Sequence, residues 1–359
     1  MNYTLEEIAR LAGVSRSTVS RVINHHPNVR PEVRERVWRI IREVGYQPHA
    51  AARNLVTRRS QIVGVVIPET IPKVFSDPYF PAVLRGIFDA LMERGYHLML
   101  SLLSPPQEED FYQRALRGRV VDGIIVLSAQ VTDPLIRRAY EEGLPVVSIG
   151  RYPQEPGVSY VDADNVGGGR MATEHLLRLG RRRVATIAGP QTMAPGIDRL
   201  EGYRAALQAW GIRPSPDWIA EGDFTEAGGY MAMRRLLSAR PDAVFVASDL
   251  MAMGALKALR EAGLRVPEDM AIVGYDDVEL AQFTDPPLTT VRQPIYELGR
   301  VAVQLLLHQL EEDVREPQRV ILPTELVIRA SCGALRQIGM PEWRGDLASR
   351  NSGEPGFPY

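Results

Sequence analysis

The chain has 359 residues, 45% hydrophobic and 24% charged, which suits two or three globular domains with a sizeable core. No apolar run approaches the ~18 residues of a membrane span, and the single cysteine, Cys332, excludes an internal disulfide and a multi-thiolate metal site. The formal net charge of -2 hides an uneven division, because residues 1–60 carry 11 arginines against 5 glutamates, a balance of +6, and the rest of the chain stands at -8. A basic head on an acidic body suggests a nucleic-acid-binding module joined to a body with another task. The opening MNYTLEEIAR is acidic where an export signal is basic and then apolar, so a cytoplasmic protein is expected.

Thr4-Leu5-Glu6-Glu7 forms a capping box, so a first helix is predicted to begin there, to bury Leu5, Ile8, Ala9 and Ala12, and to stop at Gly13. Ser15 caps a second helix with Val19, Val22 and Ile23 on one stripe and residues 16, 17, 20 and 21 on the wet face. A third follows Pro31, carries Val33, Val37, Ile40, Ile41 and Val44 inward, and ends at Gly45. Three short helices with a glycine turn between the first two match a helix-turn-helix, whose second helix enters the DNA major groove. Arginine offers a fork that fits guanine O6 and N7, so Arg16 and Arg21 are the candidates for base readout, to which Ser17 can add a hydrogen bond. Thr18, Ser20 and Asn24 are placed to hold phosphates. Residues 50–55 favour a helix too short to stand alone, with Leu55 an apolar residue in a basic linker, either a wedge between base steps in the minor groove or a contact to the body.

From Ile62 buried-strand runs alternate with amphipathic helices: IVGVVIP, a helix near 80–94, HLMLSLL, a helix near 108–117, VDGIIVLS, a helix near 133–142 and LPVVSIG. A second series runs from a helix over 166–179 through RRVATIAGP, helices over 198–210 and 226–238, DAVFVASD, a helix over 250–262 and DMAIVGYDD. This predicts an α/β body of two similar lobes with parallel sheets and a cleft. The tail 334–359 is rich in Gly, Pro and polar residues, shows no leucine heptads and reads as unstructured.

Ligands of open α/β sheets bind beyond the carboxyl ends of the strands. Residues there are Asp77, Tyr79 and Phe80, then Gly150 and Arg151, Arg199, Phe224, Ser248 and Asp276. Aromatic faces and paired Asp and Arg groups suit a ring-shaped polar ligand, a sugar or a nucleobase. Each has a plainer alternative: Asp249, Asp276 or Asp198 can cap a following helix, Arg199 can lie in solvent and Phe224 in the core. No Gly-x-Ser-x-Gly elbow, phosphate loop or His-Glu-x-x-His motif is present, and Gly167-Gly168-Gly169 lacks dinucleotide spacing, so neither an enzyme nor a metal or organic cofactor is expected.

The segments VSRSTVSRVIN, GYQPHAAARNL, DGIIVLS, LPVVSIGR, ATEHLLRLGRRRVATIAGP, DRLEGYRAAL, FVASDLMAMGALKALREAGLRVPEDMAIVGYDD and PPLTTVRQP, in that order, resemble the LacI/GalR family of bacterial transcription repressors over about residues 3–332. The resemblance implies a homodimer, a head (1–47) that binds a near-palindromic double-stranded operator, a hinge (48–60) and a periplasmic-binding-protein-like core (61–333). In that core the N-lobe would comprise about 61–161 and 295–322, and the C-lobe about 162–292 and 323–333. Carried over by position, Arg16, Ser17 and Arg21 would read bases and Leu55 would be the wedge. Asp77, Tyr79, Phe80, Gly150, Arg199, Phe224, Ser248, Asp276 and Gln293 would hold a small effector. The segment 68–77 is longer than the family's usual loop, Arg30 stands where a serine caps the third helix, Gly150 where some sugar repressors have aspartate, and Ser248 for a frequent asparagine. A carbohydrate is the favoured effector, an acidic one if Arg151 takes part, with a nucleobase or nucleoside as the alternative. A solute-binding α/β protein with an incidental basic head is the rival from another class.

Overall fold

The computed structural model describes residues 3–23, 26–46, 59–103, 113, 118, 120–312 and 316–337, and the chain divides after Ser60 into two compact units. In the first, α1 (Leu5–Ala12), α2 (Arg16–Ile23) and α3 (Pro31–Val44) close around Ile8, Ala12, Val19, Val22, Val37 and Ile41. The capping box forms: the Thr4 amide donates to the Glu7 carboxylate at 2.7 Å and the Glu7 amide to Thr4 Oγ1 at 3.3 Å. Gly13, at φ 64°, turns the chain from α1 into α2, a left-handed conformation that costs a side-chain-bearing residue more. Ser15 Oγ accepts the Thr18 amide and starts α2, whereas Arg30 gives α3 no side-chain cap. Asn24 and almost all of the expected hinge, Leu55 included, lie outside the described residues, as does all but residue 113 of the helix expected near 108–117.

The second unit holds two six-stranded sheets. Its N-lobe is built from β1 (Ile62–Ile67), β2 (His97–Leu102), β3 (Gly123–Leu127), β4 (Val146–Ile149), β5 (Ser159–Ala163) and β11 (Arg319–Leu322), ordered β2-β1-β3-β4-β5-β11 and parallel throughout. The C-lobe sheet contains β6 (Val184–Ala188), β7 (Ile219–Glu221), β8 (Ala243–Val246), β9 (Ala271–Asp276), β10 (Thr289–Arg292) and β12 (Glu325–Val327), ordered β7-β6-β8-β9-β10-β12. Both sheets are parallel as expected except at one edge, where β12 runs antiparallel to β10. β3 and β8 are buried at every position, as continuous apolar runs covered on both faces must be.

Helices flank both sheets: α4 (Ile71–Ser76), α5 (Tyr79–Glu93) and α6 (Pro134–Glu141) follow N-lobe strands. In the C-lobe lie α7 (Asn165–Arg178), α8 (Ala194–Ala209), α9 (Glu226–Leu236) and α10 (Asp249–Glu261). The long α11 (Ile295–Glu312) returns to the N-lobe, where Leu298, Ala302, Val303 and Leu306 join the core beneath β1, β3 and β4. The chain therefore passes between lobes three times, after β5, after β10 and after β11, and each link is only a few residues long.

Five elements depart from the sequence reading. α8 begins at Ala194 rather than 198, with Pro195 in its first turn, so Asp198 and Arg199 sit one turn inside the helix rather than at its start. The long segment after β1 folds into α4, and the three-residue β7 escapes any periodicity argument. β5 carries the N-lobe sheet to Ala163, two residues beyond the expected switch. The tail expected to be structureless from residue 334 opens with the short helix α12 (Ala334–Gln337).

α5 and α11 touch backbone to backbone because both are glycine where they cross: a Cβ on Gly86 would collide with the Tyr296 carbonyl oxygen, and one on Gly299 with that of Val83. Neither carbonyl can rotate away like a side chain. Gly86→Ala should lower the unfolding free energy by about 1–3 kcal/mol, read as a lower urea midpoint at unchanged m-value.

Candidate functional site

On the head, α2 turns Arg16, Ser17 and Arg21 to solvent, leaves Thr18 and Ser20 half-buried, and packs Val19 and Val22 inward. Two of the hydroxyls have local duties: Ser15 Oγ lies 2.8 Å from both Ser17 Oγ and Thr18 Oγ1. Arg16 Nε meets Glu6 Oε1 of α1 at 3.0 Å, an exposed pair of the kind worth little in water. The arginine thus changes partners cheaply.

In the body, a cavity of about 820 Å³, part of it open to solvent, lies between the lobes at the carboxyl ends of both sheets. All ten residues singled out for it line it: Asp77, Tyr79, Phe80, Gly150 and Arg151 from the N-lobe, and Arg199, Phe224, Ser248, Asp276 and Gln293 from the C-lobe and its exit. Arg199 is its anchor. Only 4% exposed, it donates from Nε to Asn165 Oδ1 at 2.9 Å and from Nη1 to the Ala247 carbonyl at 2.6 Å, with Asp276 Oδ1 at 3.3 Å. Its guanidinium carbon stands 3.6 Å from the centroid of the Tyr275 ring. The alternative of a solvent arginine is excluded by that burial.

Asp276 also accepts from Gln293 Nε2 at 2.7 Å, and its backbone is held at φ 114°. Asp249 fixes this turn from behind: fully buried, it accepts the Val278 amide at 3.0 Å and Thr290 Oγ1 at 2.6 Å. The helix cap beside it is Ser248, whose Oγ accepts the Met251 amide, so Asp249 is not the cap. Ser128 and Phe224 line the same cavity with positive φ of 62° and 64°. Three of the chain's six described non-glycine residues at positive φ thus gather here, and such strain, of order 1–3 kcal/mol each, concentrates at binding sites.

Sequence reasoning missed several contributors. Lys73 reaches the cavity from α4, paired at 2.7 Å with Glu69, whose Oε1 also accepts from Ser128 Oγ. Asp162, on the inner end of β5, accepts the Arg151 and Ala163 amides and Asn165 Nδ2, each at 2.8 Å. Asn165, which opens α7, holds Asp162 of one lobe and Arg199 of the other through the two ends of one amide. The signal was an Asp-Ala-Asp-Asn run at the end of a strand, visible in sequence once that strand is recognised. Asp198 does not line the cavity but clasps Arg151 at 2.6 Å.

The site is carboxylate-rich. Asp77, Asp162 and Asp276 face the cavity, and burial holds each above the ordinary carboxylate range, Asp162 at about 6. Arg199 opposes the effect at Asp276, and burial also raises Asp249 well above the ordinary carboxylate value. Each lining cation already has an acidic neighbour: Lys73 has Glu69, Arg151 has Asp198, Arg199 has Asp276.

A helix-turn-helix in one chain with a two-lobed α/β body around a polar cavity defines a class, the DNA-binding regulators that answer to a small molecule. Comparison with known proteins agrees in detail. Residues 4–49 match the model for bacterial regulatory proteins of the lacI family, and residues 173–332 that for a periplasmic binding protein-like domain. The HTH-type transcriptional regulator CelR of Thermobifida fusca is 47% identical over 333 residues, spanning 91% of this chain and 98% of that one. The solved CelR–cellobiose complex superposes with a TM-score of 0.74 at 45% identity, covering 92% of this chain and all of that one. The lac repressor dimer bound to operator and an anti-inducer gives 0.80 at 29% identity, over 92% and 99%. The chain belongs to the lacI family of bacterial transcriptional regulators.

The raised Asp162 carboxyl has a signed consequence. Its value is about 6 when folded and about 3.9 when unfolded, so between these values the native state holds the extra proton. The associated stability is fully present below about pH 4 and is lost as pH rises through 6. Asp162→Asn deletes the titration at the cost of an acceptor, so urea melts from pH 4 to 7 should show wild type losing up to about 3 kcal/mol relative to the variant.

Proposed function

We propose that the chain is a cytoplasmic repressor without catalytic activity that grips a near-palindromic operator as a homodimer and changes its grip when an uncharged carbohydrate fills the cavity. The observation that carries the ligand class is the charge inventory. Three carboxylates line the walls and every lining cation is already matched by an acid, so an anionic ligand meets repulsion and no unclaimed partner. Hydroxyl groups meet the opposite situation, since buried carboxylates and amides accept from and donate to them. Tyr79, Phe80 and Phe224 offer apolar faces to a sugar ring. The likeness to a regulator solved with cellobiose supports the same class. Arg151, whose participation would have pointed to an acidic sugar, is committed to Asp198.

On the head, Arg16, Ser17 and Arg21 read bases, Thr18 and Ser20 hold phosphates, and Asn24 and Leu55 are assigned phosphate and minor-groove roles from the sequence alone. Coupling follows from linkage: a ligand that prefers one arrangement of the lobes changes operator affinity by the factor with which the operator changes its own. The likeness to the lac repressor dimer on operator supports the assembly.

The test is enrichment of random duplexes on the full-length protein, followed by salt-titrated anisotropy on the winning site with and without neutral sugars. Arg21→Ala should lose at least about tenfold in specific affinity, one bidentate base contact per half-site, while keeping salt-dependent binding to arbitrary duplex. Retention of full specificity would reject the assignment. Arg199→Ala should bind the operator but weaken sugar binding by about 100-fold or more, because a buried hub of charge-assisted hydrogen bonds is removed. An unchanged sugar titration would remove the cavity from the mechanism.

A further inference from the structure

The ion pair between Arg151 and Asp198 joins the two lobes. Arg151 follows β4 of the N-lobe, Asp198 lies on α8 of the C-lobe, and the contact is a fork: Nη2 to Oδ1 at 2.6 Å and Nε to Oδ2 at 3.2 Å. The side chains are 35% and 10% exposed. Both ends are held from behind. The Arg151 amide donates to Asp162 Oδ2 at 2.8 Å, and Asp198 precedes Arg199, whose own anchors fix that turn of the helix. A backbone hydrogen bond from Val131 to the Thr192 carbonyl at 2.9 Å crosses the cleft as well. Among the three cations lining the cavity, Lys73 and Arg199 take acids from their own lobe, and Arg151 takes its acid from the other.

We propose that Asp198, a residue outside the cavity wall, sets the charge selectivity of the cavity by holding Arg151 away from anionic ligands. The inference rests on the reading of the cavity as a carbohydrate site and adds the residue that keeps the carbohydrate neutral. A sugar carboxylate entering the cavity can reach Arg151 only by displacing the carboxylate that already fills its fork. Asp198 would then be left nearly buried, unpaired and close to the already burdened Asp162, whose carboxyl feels the Asp198 charge. A neutral sugar leaves the pair intact. Because the partners come from opposite lobes, the discrimination applies in the lobe arrangement in which they meet. Without the Asp198 charge, Arg151 presents an open planar fork suited to bidentate binding of a carboxylate.

The experiment is calorimetric titration of the full-length protein with cellobiose and with cellobionate, its aldonic acid, in which the reducing-end ring is opened and C1 is a carboxylate. Wild type should prefer cellobiose. Asp198→Asn, which keeps the shape and loses the charge, should bind cellobionate at least about tenfold more tightly than wild type does, the value of one charge-assisted contact. Its affinity for cellobiose should change by less than about threefold, and the double variant Arg151→Gln/Asp198→Asn should lose the gain. Asp198→Ser serves as a second charge-removing variant should the first melt early. The proposal is overturned if neither variant gains cellobionate affinity, if the gain survives removal of Arg151, or if wild type already takes the acid as tightly. Failure of the carbohydrate reading looks different: wild type then ignores cellobiose and related neutral sugars, while the acquisition of cellobionate by Asp198→Asn still decides the role of Asp198.

Discussion

The body is organised around one buried guanidinium. A charge taken out of water costs several kcal/mol unless it is paired and hydrogen-bonded, and Arg199 draws its compensation from elements far apart in sequence. Asn165 comes from the first residue of α7, the carbonyl of Ala247 from the end of β8, the ring of Tyr275 and the carboxylate of Asp276 from the end of β9. These are the tips that must converge for a cleft to exist. The same requirement explains Asp249, a buried acid that never reaches the cavity yet fixes the turn that aims Asp276.

The head was almost wholly legible in sequence because its signals are local. A capping box, a glycine at a left-handed turn and a proline in the first turn of α3 are each read within a few residues, and each is present. The cleft was legible to the extent that it follows strand ends, which is why all ten chosen residues meet there. What escaped was whatever depends on tertiary partners. Asp198 carries no local mark of its ion pair with Arg151, Lys73 has its acid four residues away at Glu69 but no local mark of its place on the cavity wall, Asp162 was hidden because β5 went unrecognised, and α8 was started late because its N-cap, Met193, makes no side-chain cap.

On the proposed reading the ligand is held from both sides, by Asp77 and residues near Gly150 on one lobe and by Arg199 and Asp276 on the other. Any ligand that prefers one lobe arrangement shifts the population by its differential affinity and no more. The direct lobe-to-lobe contacts, Arg151 with Asp198 and Val131 with Thr192, belong to one arrangement and weigh on that balance with or without ligand. Strain at Ser128, Phe224 and Asp276 falls on the residues that face the ligand, as expected where binding geometry is built in beforehand.

The single side chain of Asn165 ties Asp162 on one lobe to Arg199 on the other at the first of the three short connections. A pivot built into the pocket floor behaves as a fulcrum beside the load. Were the lobes to rock about it, atoms close to it would barely travel, whereas the far rims of each lobe would sweep through arcs that grow with their radius. Sub-ångström adjustments around a small guest would accordingly emerge at the periphery as displacements several times larger, without any helix having to bend.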